Sequence, residues 1–298
     1  RAMESALQNP FPFMSLPPEL RDMVYENLLE DPYYPAPAPC AKHSLSDMMS
    51  WMMPSTRPSS AERNTKQCNW ILLANKQIYA EFMDLICKKR VFHLTVSPEN
   101  YAVPADESFF APATTASPTS TPSPSSDQRI WNVSPTIMAK VRRCDIKLNA
   151  TSAMLGVPDP RNLTPSTWAL ASKVRSELSA ISLVRELNVH VKAIGDPLWN
   201  PLWVWYHSAQ SFKTMGSEVL DPATGEVTKQ DGPRVSHITF SLDTWSPGEN
   251  YLQRVPESGD WAWYCTEGHC VGSDGGPEMT VRGFCARMYV QCRTCHPE

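Results

Sequence analysis

Four short segments of this chain alternate apolar and polar side chains with a period of two, and that pattern narrows the fold more than any other feature. Phe92, Leu94 and Val96 alternate with His93 and Thr95. Cys144, Ile146 and Leu148 form a second set, Leu187, Val189 and Val191 a third, and Ile238, Phe240 and Leu242 a fourth. Successive side chains of an extended chain point to opposite faces, so each segment has one apolar and one wetter face. Four of them predict one sheet with a single buried face. Helical spacing separates the later segments. Leu170, Val174, Leu178 and Ile181 follow Thr164-Pro165, an N-cap with proline at the first helical position. The strand–helix–strand order from 143 to 191 fits a parallel pair with a right-handed crossover. A tryptophan-rich stretch from Pro201 to Met215 reads as a further helix, and Asp221 to Gly225 as a hairpin turn. The expected class is α+β, with N-terminal helices packed on a mixed sheet, further helices mainly on one face, and a cysteine-rich C-terminal tail.

Residues 111–126 are only Ala, Pro, Thr and Ser. Such a segment buries too little apolar surface to offset its ordering entropy, so 104–128 is expected to be a disordered insertion. Six prolines mark a second insertion at 31–63, in which the apolar cluster from Met48 to Met53 is expected to dock. No internal repeat is visible. The chain therefore divides into a helical region (10–90), a sheet domain (91–255) and a tail (256–298).

Near the N-terminus, Pro17 and Pro18 suit a helix start, and Glu19 lies at the positive end of the helix dipole. Leu20, Met23, Val24 and Leu28 then share one helical face. Such a stripe serves either as core or as a partner surface. A second helix is expected from Trp70 to Lys89, with Ile71, Ile78, Phe82 and Leu85 on one stripe and Leu72, Tyr79 and Ile86 beside it.

The run Leu16-Pro-Pro-Glu-Leu-Arg21, followed later by Leu72-Leu-Ala-Asn-Lys-Gln-Ile-Tyr-Ala-Glu81, resembles the F-box-like proteins of filamentous fungi. The spacer of about forty residues between the two segments is longer than in a compact F-box. The resemblance implies a non-enzymatic adaptor docking on a Skp1-like subunit of a ubiquitin ligase. Leu16, Pro17, Leu20, Val24 and Leu28 would be the partner-binding residues. Two other readings stay open: a stand-alone scaffold without Skp1 binding, and a zinc-stabilised nucleic-acid binder.

Five of the nine cysteines fall between 265 and 295. Zinc takes four N or S donors in a tetrahedron, commonly as two close pairs. Cys292 with Cys295 forms one pair and Cys265 with Cys270 the other, giving a structural zinc site with His269, Cys285 and His296 as substitute ligands. Unpaired thiols are the alternative. Cys292-x-x-Cys295-His296 also has the form of a haem attachment site, unsupported by any export signal.

A net charge of −4 and a pI near 6.0 provide no general basic field, which weighs against a nucleic-acid partner. No apolar run reaches the ~18 residues of a membrane span. Without an export signal the thiols point to a reducing compartment, cytoplasm or nucleus. No nucleophile elbow, phosphate-binding loop, dinucleotide fingerprint or zinc-protease motif appears, so no catalytic residue is nominated. His93, His190 and His237 are expected on the wet strand faces, and most tryptophans in the core.

Overall fold

The computed structural model describes residues 12–29, 33–35, 74–101, 129–157, 163, 168–194, 201–220, 227–229, 232–242, 250–276 and 279–297. The insertion at 104–128, the cluster from Met48 to Met53, the Thr164-Pro165 cap and the turn from Asp221 to Gly225 lie outside them.

The four alternating segments do form one sheet. They are β1 (Val91–Val96), β2 (Arg143–Ala150), β3 (Glu186–Ala193) and β6 (His237–Leu242). All three neighbouring pairs are parallel. The register lines up Leu94, Ile146, Val189 and Ile238 in one row, each at most 1% exposed. Side chains sealed this completely contribute roughly 1.5–3 kcal/mol each. The intervening residues, among them Thr95, Lys147, His190 and Thr239, are half-buried on the opposite face. A short hairpin of β4 (Glu218–Leu220) and β5 (Val227–Lys229) flanks the expected turn.

The sheet then continues antiparallel through β7 (Tyr251–Arg254), β8 (Trp261–Tyr264) and β9 (Cys270–Ser273), in the order β1-β2-β3-β6-β7-β8-β9. A boundary at residue 256 thus falls between two strands of one sheet, and the start of the tail is the sheet's far edge. The class is α+β with a mixed sheet.

The described helices are α1 (Pro18–Leu28), α2 (Lys76–Lys89), α3 (Pro135–Met138), α4 (Ala169–Leu178), α5 (Pro201–Lys213) and α6 (Val281–Met288). The second helix begins at Lys76 rather than Trp70, because the Asn75 side chain caps it by accepting from the Gln77 N–H at 2.8 Å. The described part of α4 begins at Ala169, and its expected stripe of Leu170, Val174 and Leu178 is fully buried. Helix α5 packs on β3 and β6 with Trp205, Ala209 and Phe212 at 0% exposure. Rings bind the far end of the sheet together: Phe240 lies 6.2 Å from Trp205, and Phe284 of α6 lies 5.1 Å from Trp263. Trp205 and Trp263 are core residues, as expected. Among the described residues no helix is long and apolar enough to cross a membrane.

Candidate docking helix and metal centre

Helix α1 starts where the prolines place it, with Pro18 in its first turn and Glu19 beside it. Its inner face is not the leucine stripe. Arg21 is 7% exposed and Tyr25 0%, whereas Leu20 (46%), Met23 (60%) and Val24 (40%) face outward. Pro17 is exposed; Leu16 and Leu28 are half-buried, and Leu28 packs against the core.

A polar latch explains this rotation. The Arg21 guanidinium donates from Nε to Glu81 Oε2 at 3.0 Å and from Nη2 to Oε1 at 2.8 Å. Its Nη1 donates to the Leu16 carbonyl at 2.6 Å, closing the chain entry. The Tyr25 hydroxyl donates to Glu81 Oε2 at 3.0 Å, and Gln77 Nε2 to Oε1 at 2.9 Å. Phe13 and Phe82 sandwich the Tyr25 ring, each at 5.6 Å. The last residue of Leu16–Arg21 therefore meets the last residue of Leu72–Glu81. Counting only apolar residues misses this, since an arginine is not scored as buried; the spacing of Arg21, Tyr25 and Leu28 (i, i+4, i+7) is the available signal.

Burial alone would raise the Glu81 pKa, but the hydrogen bonds from Arg21, Gln77 and Tyr25 outweigh it and hold the carboxyl below its usual value. A depressed carboxylate contributes stability that is present above the unfolded-state pKa and lost as pH falls through the folded one. Hydrogen exchange in α1, measured against the intrinsic rate at each pH, is therefore expected to accelerate below the ordinary glutamate range. Glu81→Gln should accelerate it at neutral pH as well, by about tenfold or more. Unchanged α1 protection in that variant would show that the latch does not seat the helix.

The second cluster lies at the opposite end of the sequence. The loop joining β8 to β9 is closed by the Cys265 N–H donating to the His269 carbonyl at 2.9 Å and the Gly268 N–H donating to the Cys265 carbonyl at 2.8 Å. Gly268 has φ +82°, a left-handed conformation that glycine adopts at little cost. The turn sets Cys265 and His269 side by side, with Sγ 3.7 Å from Nδ1. The segment after α6 brings in the other pair: Cys295 Sγ lies 3.2 Å from His269 Nδ1 and 3.8 Å from Cys265 Sγ. The donor atoms of Cys265, His269, Cys292 and Cys295 all lie within 4.8 Å of one another.

The cluster differs from the expected ligand set at a single position. Cys270 is exposed, pairs with Tyr264 across the hairpin and is not in the cluster; His269 takes its place. The reason is strand alternation: consecutive side chains leave on opposite faces, so the turn that aims His269 at Cys265 aims Cys270 away. Cys285 and His296 also stand outside the cluster.

The geometry fits a tetrahedral metal. With Zn–S near ~2.3 Å and Zn–N near ~2.0 Å, tetrahedral edges come to roughly 3.5–3.8 Å, close to the separations found. The backbone N–H groups of Cys295 and Thr294 hold the Cys292 thiol below its usual value, which favours the thiolate form that a metal takes. Desolvation first, and then the sulfurs of Cys292 and Cys265, push Cys295 up. Sulfurs so close cannot all ionise without a cation among them. The cluster is compatible with structural zinc.

The three histidines of the wetter face each contact a neighbour on the sheet. His190 shares hydrogen bonds with Thr239 Oγ1 and Ser241 Oγ, both at 2.8 Å, and His93 Nε2 lies 3.3 Å from Asp145. His237 lies against the Tyr251 ring at 4.4 Å. Comparison of the chain with protein-family models, with curated proteins and with solved structures finds no match.

Proposed function

We propose that this protein is a non-enzymatic interaction module of F-box-like type, in which α1 docks on a Skp1-like subunit of a ubiquitin ligase in the cytoplasm or nucleus. In this reading α1 and α2 form the F-box-like pair, the later helices gather on the buried face of the sheet, and a structural zinc closes the tail. The observation that carries it is the rotation of α1. Arg21 and Tyr25 anchor the helix inward, which leaves Leu20, Met23 and Val24 on the surface. Apolar side chains grouped on one exposed helix face carry a hydrophobic cost in water that a partner groove would remove. Pro17 at the helix start is exposed beside them.

The test is direct binding of the purified chain to a recombinant Skp1-like subunit. Leu20→Asp should weaken binding by about a hundredfold or more, because it deletes an apolar anchor and strands a charge in a desolvated contact. The melting temperature should stay nearly unchanged, since Leu20 is 46% exposed. An unaltered chain that fails to bind the subunit would leave the stand-alone scaffold and the zinc-stabilised nucleic-acid binder as the surviving alternatives.

A further inference from the structure

Helix α6 and the described segment after it carry a charge balance opposite to that of the whole chain. The formal net charge is −4, yet residues 281–297 contain Arg282, Arg287 and Arg293 and no carboxylate side chain. All three arginines are exposed. Among them stand two large exposed apolar side chains, Tyr289 at 46% and Val290 at 38%. Helix α6 turns Phe284 and Met288 into the core at 0% and 1% exposure. The same spacing puts Arg282, Ala286 and Tyr289 at i, i+4 and i+7 on its outward side.

This surface is held in shape before anything binds. The Thr280 side chain caps α6 by accepting from the Gly283 N–H at 3.1 Å. Buried Asn250 clamps the other end, its Nδ2 donating to the carbonyls of Arg287 at 2.9 Å and Val290 at 2.8 Å. Arg287 lies along the edge strand, its Nη1 2.6 Å from where a Cβ on Gly272 would stand. The cluster of Cys265, His269, Cys292 and Cys295 ties the segment beyond α6 to the β8–β9 turn. Filled by a divalent cation, three thiolates and an imidazole carry one net negative charge, fewer than the arginines offer. Glu267, on the same turn, is an exposed carboxylate at the rim.

We propose that this arginine–tyrosine surface of α6 and the segment after it captures a short acidic segment of a partner protein, the cargo end of the adaptor whose other end is α1. The inference rests on the adaptor reading and adds the chemistry of what is recruited. Guanidinium groups pair bidentately with carboxylates, and arginine and tyrosine are both enriched at interfaces. Range decides between an acidic peptide and nucleic acid. A short peptide feels only charges within a Debye length of about 8–10 Å, and along residues 281–297 the charged side chains are the three arginines. A long phosphate backbone also meets the field of a chain that is negative overall.

The experiment is selection from a random dodecapeptide display library on the immobilised, zinc-loaded full chain, followed by anisotropy titration of the peptides recovered. The expected peptides are rich in Asp and Glu and carry an aromatic or aliphatic residue. Arg282→Glu with Arg293→Glu should weaken their binding by about tenfold or more. Tyr289→Ala should weaken it at unchanged salt dependence. Leu20→Asp should leave it unaltered. Recovery of neutral or basic peptides, no enrichment at all, or equal binding by the charge-reversed chain overturns the inference. So does tighter binding of a thirty-nucleotide single strand than of any selected peptide. Subunit binding through α1 is measured separately, so loss of either result leaves the other standing.

Discussion

Stripping the metal from the purified chain, or replacing Cys292 with serine, is expected to release α6 and the residues after it from the sheet edge. Structural zinc in small cysteine–histidine domains contributes an apparent ~10–16 kcal/mol. Besides the cluster, the segment is held by Phe284 and Met288, its fully buried apolar anchors, at roughly 1.5–3 kcal/mol each, and by the hydrogen bonds from Asn250. Ordering each residue of the segment costs about 1–2 kcal/mol of backbone entropy. The strands β1, β2, β3 and β6 lack that dependence, so the loss should stay local. Fluorescence of Trp263, whose ring meets Phe284 edge-on at 5.1 Å, should shift on chelation. Hydrogen exchange should rise across 281–297 and stay slow in β2 and β3. The decisive comparison is His269→Ala against Cys270→Ser. The first should weaken zinc binding by about tenfold or more, whereas the second should leave roughly one zinc per chain. A chain that purifies without zinc and does not take it up would overturn the metal reading.

Lys213→Met is expected to destabilise the core severely. The Lys213 ammonium, at the end of α5, pairs with Asp274 just beyond β9 at 2.8 Å, with side-chain exposures of 5% and 6%. Burial outweighs the attraction of Asp274 and holds the Lys213 pKa below its usual value. Asp274 Oδ1 has no hydrogen-bond partner among the described residues. Removing the lysine alone would leave a carboxylate buried without its cation, at a cost of about 3–5 kcal/mol. Lys213→Met with Asp274→Leu should recover most of that loss, because two apolar side chains of similar volume carry no desolvation penalty. Denaturant unfolding of the two variants reads the difference directly. Equal stability of the single and double variants would mean that the pair is hydrated in solution.

Much of the fold is legible in the amino-acid sequence. The alternation in Phe92–Val96, Cys144–Leu148, Leu187–Val191 and Ile238–Leu242 identifies four strands and their buried face, because period-two patterning is set by the geometry of each strand alone. The strands at the far edge carry no such signal. Trp261–Tyr264 and Cys270–Ser273 are short, and Gly272 together with the register shift after Trp263 breaks their alternation. The cluster of thiols and imidazole is legible to within one residue: spacing names Cys292 and Cys295, but cannot decide between His269 and Cys270.

Local pattern and composition determined where helices and strands form, which strand faces are apolar, and that thiols gather near the end of the chain. Only the tertiary structure decided which way α1 faces and which residue completes the thiol cluster. Both are contacts between segments distant in sequence, Arg21 with Glu81 and His269 with Cys295. Local periodicity carries no record of a partner sixty or twenty-six positions away. In each case a polar side chain, not an apolar one, settled the orientation.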